Sequence, residues 1–255
     1  MERFLALILF SLAIFLSSPS AIRAERTFQS GPSKTSLIEL YTSEGCSSCP
    51  PAEEWLSDLR NDAGLWSKFV PIAFHVVYWD KLGWRDAFAS KKFTERQYAY
   101  ASAWTSGSVY TPCLVNDGRE WQRRGSSVEL DKKAPPPGPL RLTSQNDTLW
   151  NAEFVPSPQT SSGPFDLCIA QLGGDISVAV RAGENAGKKL RHDFVAFEWV
   201  TVPLEEQADQ RFLAKATLTQ SPPAGVGRRA IAAWVVKRGE LAPLQAVGGW
   251  LDASH

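Results

Sequence analysis

The 255-residue chain carries 27 Lys plus Arg against 27 Asp plus Glu, with 44% hydrophobic and 21% charged residues. Zero formal charge gives no reason to propose nucleic acid or an anionic membrane as a partner, since either would favour a basic surface. The length suits one or two soluble globular domains with real hydrophobic cores.

Arg3 precedes an apolar run from Phe4 to Leu16, followed by small and turn-forming residues up to Ala24. The run is about 13 residues long, against roughly 20 for a membrane-spanning helix, so residues 1–24 are expected to be a cleavable export signal. A periplasmic or secreted location follows as the expectation, with no stable membrane insertion after cleavage. Export also sets the chemistry of the cysteines at 46, 49, 113 and 168, because thiols outside the cytosol are readily oxidised.

The segment Ser36 to Thr42 has strand composition, and Ser43-Glu44-Gly45 loops into Cys46. From Ser47 a helix is expected, with Ala52, Trp55, Leu56 and Leu59 on one apolar face and Asn61 to Gly64 closing it. Phe69 to Trp79 is nearly continuously apolar, as a central strand would be. Phe93 to Trp104 forms a second predicted helix, Val109 to Val115 a strand, and Asn116-Asp117-Gly118 a hairpin turn into Arg119 to Gln122. The order strand, helix, strand, helix, strand, strand predicts a parallel crossover, a final antiparallel pair and a mixed four-stranded sheet with flanking helices.

Ala134 to Pro139 is proline-rich and reads as a stiff linker. Beyond it, short strand-like runs fall at Leu140 to Thr143, Thr148 to Val155, Asp166 to Gln171, Ile176 to Val180, His192 to Thr201, Phe212 to Thr219 and Arg229 to Lys237. The expected organisation is an α/β thioredoxin-like N-terminal domain over 35–133, a linker at 134–139, and a β-rich, sandwich-like C-terminal domain over 140–255.

Cys46-Ser47-Ser48-Cys49 at a strand-to-helix junction can close a disulfide with little backbone movement. Cys46, at the helix start, would be the attacking thiolate, stabilised by unpaired N–H groups and the macrodipole, and Cys49 the resolving thiol. Pro50 and Pro51 fit the first turn. Thr111-Pro112 enters the next strand, where a cis-proline would bring the Thr111 backbone to Cys46 as a docking surface.

Tyr41 to Ala52, Phe74 to Asp86 and Val109 to Pro112 together resemble an exported, thioredoxin-like bacterial family catalogued as domain of unknown function 1223. Gly183-Glu184-Asn185, Gly187 and Leu190 to Asp193 share that likeness, which covers most of residues 36–200. The resemblance implies a thioredoxin-like fold and no particular substrate. Cys113 departs from it, since the position after Pro112 is usually Gln in that family.

Other readings stand beside the redox one. Cys46 and Cys49 could form an inert disulfide or half a zinc site, or hold copper together with His75, although His75 in an apolar strand reads first as a core histidine. Cys113 could be a third thiol, a staple to Cys168 or a small buried residue, the last two being favoured. The carboxylate that thioredoxins place six positions before the first cysteine is replaced by Leu40, which leaves Glu39 as a candidate base or an ion-pair partner. Tyr78 to Asp86 could wall a cleft or pack as a loop, and His192-Asp193 reads as turn and strand rather than a dyad. The expected function is that of a thiol–disulfide oxidoreductase with Cys46, Cys49, Thr111 and Pro112 as its site. It assigns no cofactor, no metal, and a thiol- or disulfide-bearing protein or small thiol as partner. The alternative is a non-catalytic binding module such as a copper carrier or adaptor.

Overall fold

A computed structural model describes residues 25–122, 125, 127–128, 130–131, 133–160 and 162–252. The expected export signal at 1–24 lies outside the described residues. No helix among them is long and apolar enough to cross a membrane.

The first half contains β1 (Arg26–Gln29), β2 (Ser36–Thr42), α1 (Pro50–Asp58), β3 (Phe69–His75), a 3-10 helix at Val77–Leu82, α2 (Lys91–Ala103), β4 (Cys113–Asn116) and β5 (Arg119–Glu120). β2 and β3 run parallel with Leu40 opposite Ala73, and β4 runs antiparallel to β2 with Leu114 opposite Leu40. Asp117 and Gly118 both have positive φ, 49° and 82°, as the tight hairpin between β4 and β5 requires. The predicted strand at 69–79 ends early because tertiary contacts capture its second part. The Val77 N–H donates to Thr94 Oγ1 of α2 at 3.0 Å, and the chain turns into the 3-10 helix.

The second half adds β6 (Leu140–Ser144), β7 (Leu149–Phe154), β8 (Phe165–Gly174), β9 (Ile176–Ala179), β10 (Lys189–His192), β11 (Val195–Glu206), β12 (Phe212–Thr217), β13 (Arg228–Lys237) and β14 (Pro243–Trp250). β9 and β10 make a separate two-stranded ribbon, while the other strands join one 12-stranded sheet. β8 and β13 are buried on both faces. Phe165, Leu167 and Ile169 share one core with Ile231, Ala233 and Val235, and the alternate residues Cys168, Ala170, Leu172, Ala232 and Trp234 face the other.

This architecture overturns the expected thioredoxin-like domain with its own four-stranded sheet, followed by a separate sandwich-like domain. β3 does not end a small sheet. It pairs in parallel with β11, Ala73 opposite Val195, and β11 continues through β8 to β13 and β14. The path also leaves the end of β11 into β12, β7, β6 and β1. Pro71 is compatible with this placement. The Ala73 N–H points toward β11 and donates to the Phe194 carbonyl at 2.8 Å, so the missing N–H of Pro71, two residues earlier, falls on the side where β11 has not begun. The proline-rich stretch is packed rather than free. Gly138 accepts a 2.8 Å bond from Gln245 Nε2, the Ser157 N–H donates to the Pro137 carbonyl at 3.0 Å, and a Cβ on Gly138 would lie 2.0 Å from the Val155 carbonyl oxygen.

Candidate functional site

Cys46 and Cys49 form a disulfide with Cα atoms 5.5 Å apart. The helix begins at Pro50 with Cys49 as its N-cap, so Cys46 sits in the preceding turn rather than on the first helical turn. Two prolines set that start, since a missing N–H costs least there. The same prolines remove the donors expected to stabilise a Cys46 thiolate, and the Ala52 N–H is taken by the Cys49 carbonyl at 2.9 Å. The neighbour of Cys46 Sγ is instead Ser48 Oγ at 3.3 Å. Both cysteines are fully buried, whereas Ser47 and Ser48 between them are exposed.

The Thr111–Pro112 peptide is cis, and the Thr111 carbonyl oxygen lies 3.8 Å from Cys46 Sγ. Trp79 Nε1 holds this strap by donating to Thr111 Oγ1 at 2.7 Å, and Gln97 Nε2 of α2 donates to the Tyr110 carbonyl at 2.7 Å. The Tyr78 to Asp86 segment therefore packs directly around the cysteine loop. Its Trp84 Nε1 donates to Glu44 Oε2 at 2.6 Å, and Asp86 Oδ2 accepts from the Glu44 N–H at 2.9 Å. From the second half, buried Asn185 donates through Nδ2 to the carbonyls of Glu44 and Cys46, both at 2.9 Å. Glu184 accepts the Ser47 N–H at 3.1 Å.

Glu39 is a structural ion pair and not a base for the cysteines. Its carboxylate accepts from Arg96 Nε at 2.7 Å, Arg96 Nη2 at 3.0 Å, Tyr100 OH at 2.6 Å and Tyr41 OH at 2.9 Å. Cys113 and Cys168 are free and buried, so the staple between them does not form. Burial pushes the Cys113 thiol up to about 11 and raises that of Cys168 as well.

Beneath the disulfide the fold collects titratable side chains that are scattered in the sequence. Glu53 stands on α1 four residues after Cys49, on the same helical face. Its Oε1 accepts from Thr42 Oγ1, and its Oε2 lies 2.5 Å from His192 Nδ1. His192 Nε2 is 3.4 Å from Glu44 Oε1, and His75 Nδ1 is 2.6 Å from Asp86 Oδ2. All five side chains are buried, and the two imidazole centroids are 5.2 Å apart. Burial opposes the charge on His192, but the Glu53 and Glu44 carboxylates outweigh it and hold the imidazole at about 10. Burial likewise opposes charge on His75, Glu53 and Asp86. The opposite partner prevails in each case, raising His75 and lowering the two carboxyls.

His192 and Asp193 form no dyad. They face opposite ways, and Asp193 Oδ1 accepts the Asp175 N–H at 2.8 Å while Oδ2 pairs with Arg191 at 3.3 Å. In the sequence Glu44 stands only as a loop residue within the family-like stretch, and Glu53 is not singled out. The one available signal was the i to i+4 spacing of Cys49 and Glu53, which is common by chance on any helix.

Comparison with known proteins agrees with the sequence likeness. A comparison with curated proteins finds no match. A crystal structure of the protein AGR_C_4864 from Agrobacterium tumefaciens superposes with a TM-score of 0.58 at 22% identity, covering 88% of this chain and 97% of that one. HBP35 of Porphyromonas gingivalis gives a TM-score of 0.58 at 14% identity, covering 85% and 75% of the two chains. At these identities the likeness speaks for the fold alone. The profile of the family described as "Protein of unknown function (DUF1223)" matches residues 37–235, and the chain belongs to that family.

Proposed function

We propose that the protein is an exported thiol–disulfide exchange protein acting through Cys46 and Cys49 in the periplasm or outside the cell. The observation that carries this reading is the Cys46–Cys49 disulfide beside the carbonyl that precedes cis-Pro112. An extended peptide laid along Thr111 would lie next to the reactive sulfur. In the reduced protein the Cys46 thiolate attacks a partner disulfide, forming a mixed disulfide and releasing one partner thiolate, which takes up a proton. Cys49 then gives up its proton and attacks Cys46 Sγ, which restores the internal disulfide and releases the second partner thiol. The partner is a disulfide-bearing protein or small thiol. Because both sulfurs are covered, exchange follows displacement of the exposed Ser47-Ser48 turn or of the Glu184-Asn185 loop that holds it.

The test is a dithiol-dependent reductase assay together with trapping in cell extracts. Cys46→Ser is expected to abolish activity and Cys49→Ser to accumulate mixed disulfides through Cys46. Absence of wild-type activity with every common disulfide substrate, combined with tight one-to-one Cu(I) retention by the reduced form, would favour a non-catalytic carrier instead.

A further inference from the structure

We infer that Glu53, His75 and His192 form a buried binding site for a divalent first-row transition ion, with zinc as the reference case. One donor atom from each residue lies within 4.8 Å of the other two, and all three residues are buried. Metal bonds of about 2.0–2.2 Å place neighbouring ligand atoms roughly 3.3 Å apart, so only small side-chain rotations separate this cluster from coordination.

The hydrogen bonding singles out the same atoms. Among the described residues, His75 Nε2 is buried without a hydrogen-bond partner, and His192 Nδ1 and Glu53 Oε2 are buried with only each other as ion-pair partners. His192 Nδ1 and Glu53 Oε2 come within 2.5 Å without the alignment of a donor and an acceptor. The opposite atom of His75 and of Glu53 is hydrogen-bonded to an outer partner, while His192 Nε2 only faces a carboxylate and makes no hydrogen bond among the described residues. Asp86 meets His75 Nδ1, Glu44 stands 3.4 Å from His192 Nε2, and Thr42 donates to Glu53 Oε1. Imidazole that ligates through one nitrogen while its other N–H faces a carboxylate is the arrangement that fixes metal-binding histidines. Two imidazoles and one carboxylate make a borderline donor set suited to zinc and its neighbours, not to calcium or magnesium.

Charge agrees. Glu44, Glu53 and Asp86 bring three carboxylates into one buried volume; without a metal the protonated His75 and His192 face them, and a divalent cation would take the place of those two protons. A cleft of about 680 Å³ lined by Val77, Asp80, Arg85, Asp86, Ala89 and Lys91 reaches Asp86, the partner of His75. The site uses neither thiolate and does not depend on the exchange reaction proposed above. It ties α1, through Glu53, to the ends of β3 and β10.

The experiment is zinc uptake by the purified, chelator-stripped chain with its disulfide intact, followed by cobalt(II) substitution. One zinc per chain is expected, with a rise in Tm of roughly 5–10 °C at a hundredfold excess over Kd. The Cys46→Ser/Cys49→Ser double variant should keep the metal, whereas Glu53→Gln should lose at least tenfold in affinity. Asp86→Asn, acting through His75, should weaken binding about 10–100-fold. No uptake by the wild type, uptake insensitive to Glu53→Gln in a folded variant, or uptake abolished in the cysteine double variant would overturn the assignment. Should Glu53→Gln fail to fold, the wild-type cobalt spectrum decides. Visible d–d bands without thiolate-to-cobalt charge transfer support the site, and a thiolate charge-transfer band overturns it. Failure of the exchange reaction leaves these readouts unchanged.

Discussion

Four cysteines divide here into two kinds by what surrounds them. Cys46 and Cys49 sit at a helix start next to two exposed serines, while Cys113 and Cys168 lie in the hydrophobic core, with Cys168 Sγ 3.4 Å from Thr201 Oγ1. A thiol held near 11 leaves about one thousandth as thiolate at pH 8, and only the thiolate is reactive. All four are buried, so after mild reduction at pH 8 iodoacetamide should modify Cys46 and Cys49 in the native protein through displacement of the exposed Ser47-Ser48 turn. Cys113 and Cys168 should react only once denaturant is added, as peptide mass mapping would show. Labelling of Cys113 at the same rate as Cys46 would contradict the raised Cys113 thiol. The histidines divide in the same way. His75 looked like a core residue because both its strand neighbours are apolar, yet Asp86 occupies only one of its nitrogens.

Among elements, the contact between β2 and α2 rests on a buried charge. Arg96 meets the Glu39 carboxylate through two nitrogens and stacks over Tyr100 at 5.1 Å, with Trp199 and Trp234 each 5.3 Å away. Removing one partner of such a pair leaves an unpaired buried charge, at a cost of about 3–5 kcal/mol. Glu39→Gln should lower unfolding stability by that order in a urea titration with the m-value unchanged. The double variant Glu39→Gln/Arg96→Met should recover part of the loss, because Met refills the aromatic cage without a charge. If the double variant is less stable than Glu39→Gln alone, the pair is not the source of the penalty. Gly138 tests a second junction. With φ at 97° and a Cβ position 2.0 Å from the Val155 carbonyl, Gly138→Ala should cost about 1–3 kcal/mol, read as a drop in Tm.

At the scale of the whole molecule, one core draws on both halves of the chain. Leu40, Phe74 and Val115 pack in the same cluster as Ala170, Val195, Ala232 and Trp234. Burying a side chain of the size of Trp234 or Phe74 contributes about 1.5–3 kcal/mol, so the first half alone would forfeit several such contributions and expose the β11 side of β3. Calorimetry should show a single unfolding transition with equal calorimetric and van't Hoff enthalpies. Two separated transitions would mean that the halves fold independently across the 134–139 stretch.

Local chemistry was legible from residues alone. Alternating or continuous apolar runs announced β2, β3, β8 and β13, Asn116-Asp117-Gly118 announced the hairpin, and Cys46 with Cys49 announced the disulfide. These signals are written within a few residues of one another, where backbone geometry and side-chain period act directly. The identity of the strand beside β3 was not written there, because β11 is more than a hundred residues away and any apolar edge could have covered it. The site shared this limit. His75 and His192 become neighbours only when β3 and β10 are brought to the same end of α1, and Glu53 acquires meaning from that meeting. The cysteine pair is thus a property of the sequence, and the carboxylates and imidazoles beneath it are a property of the fold.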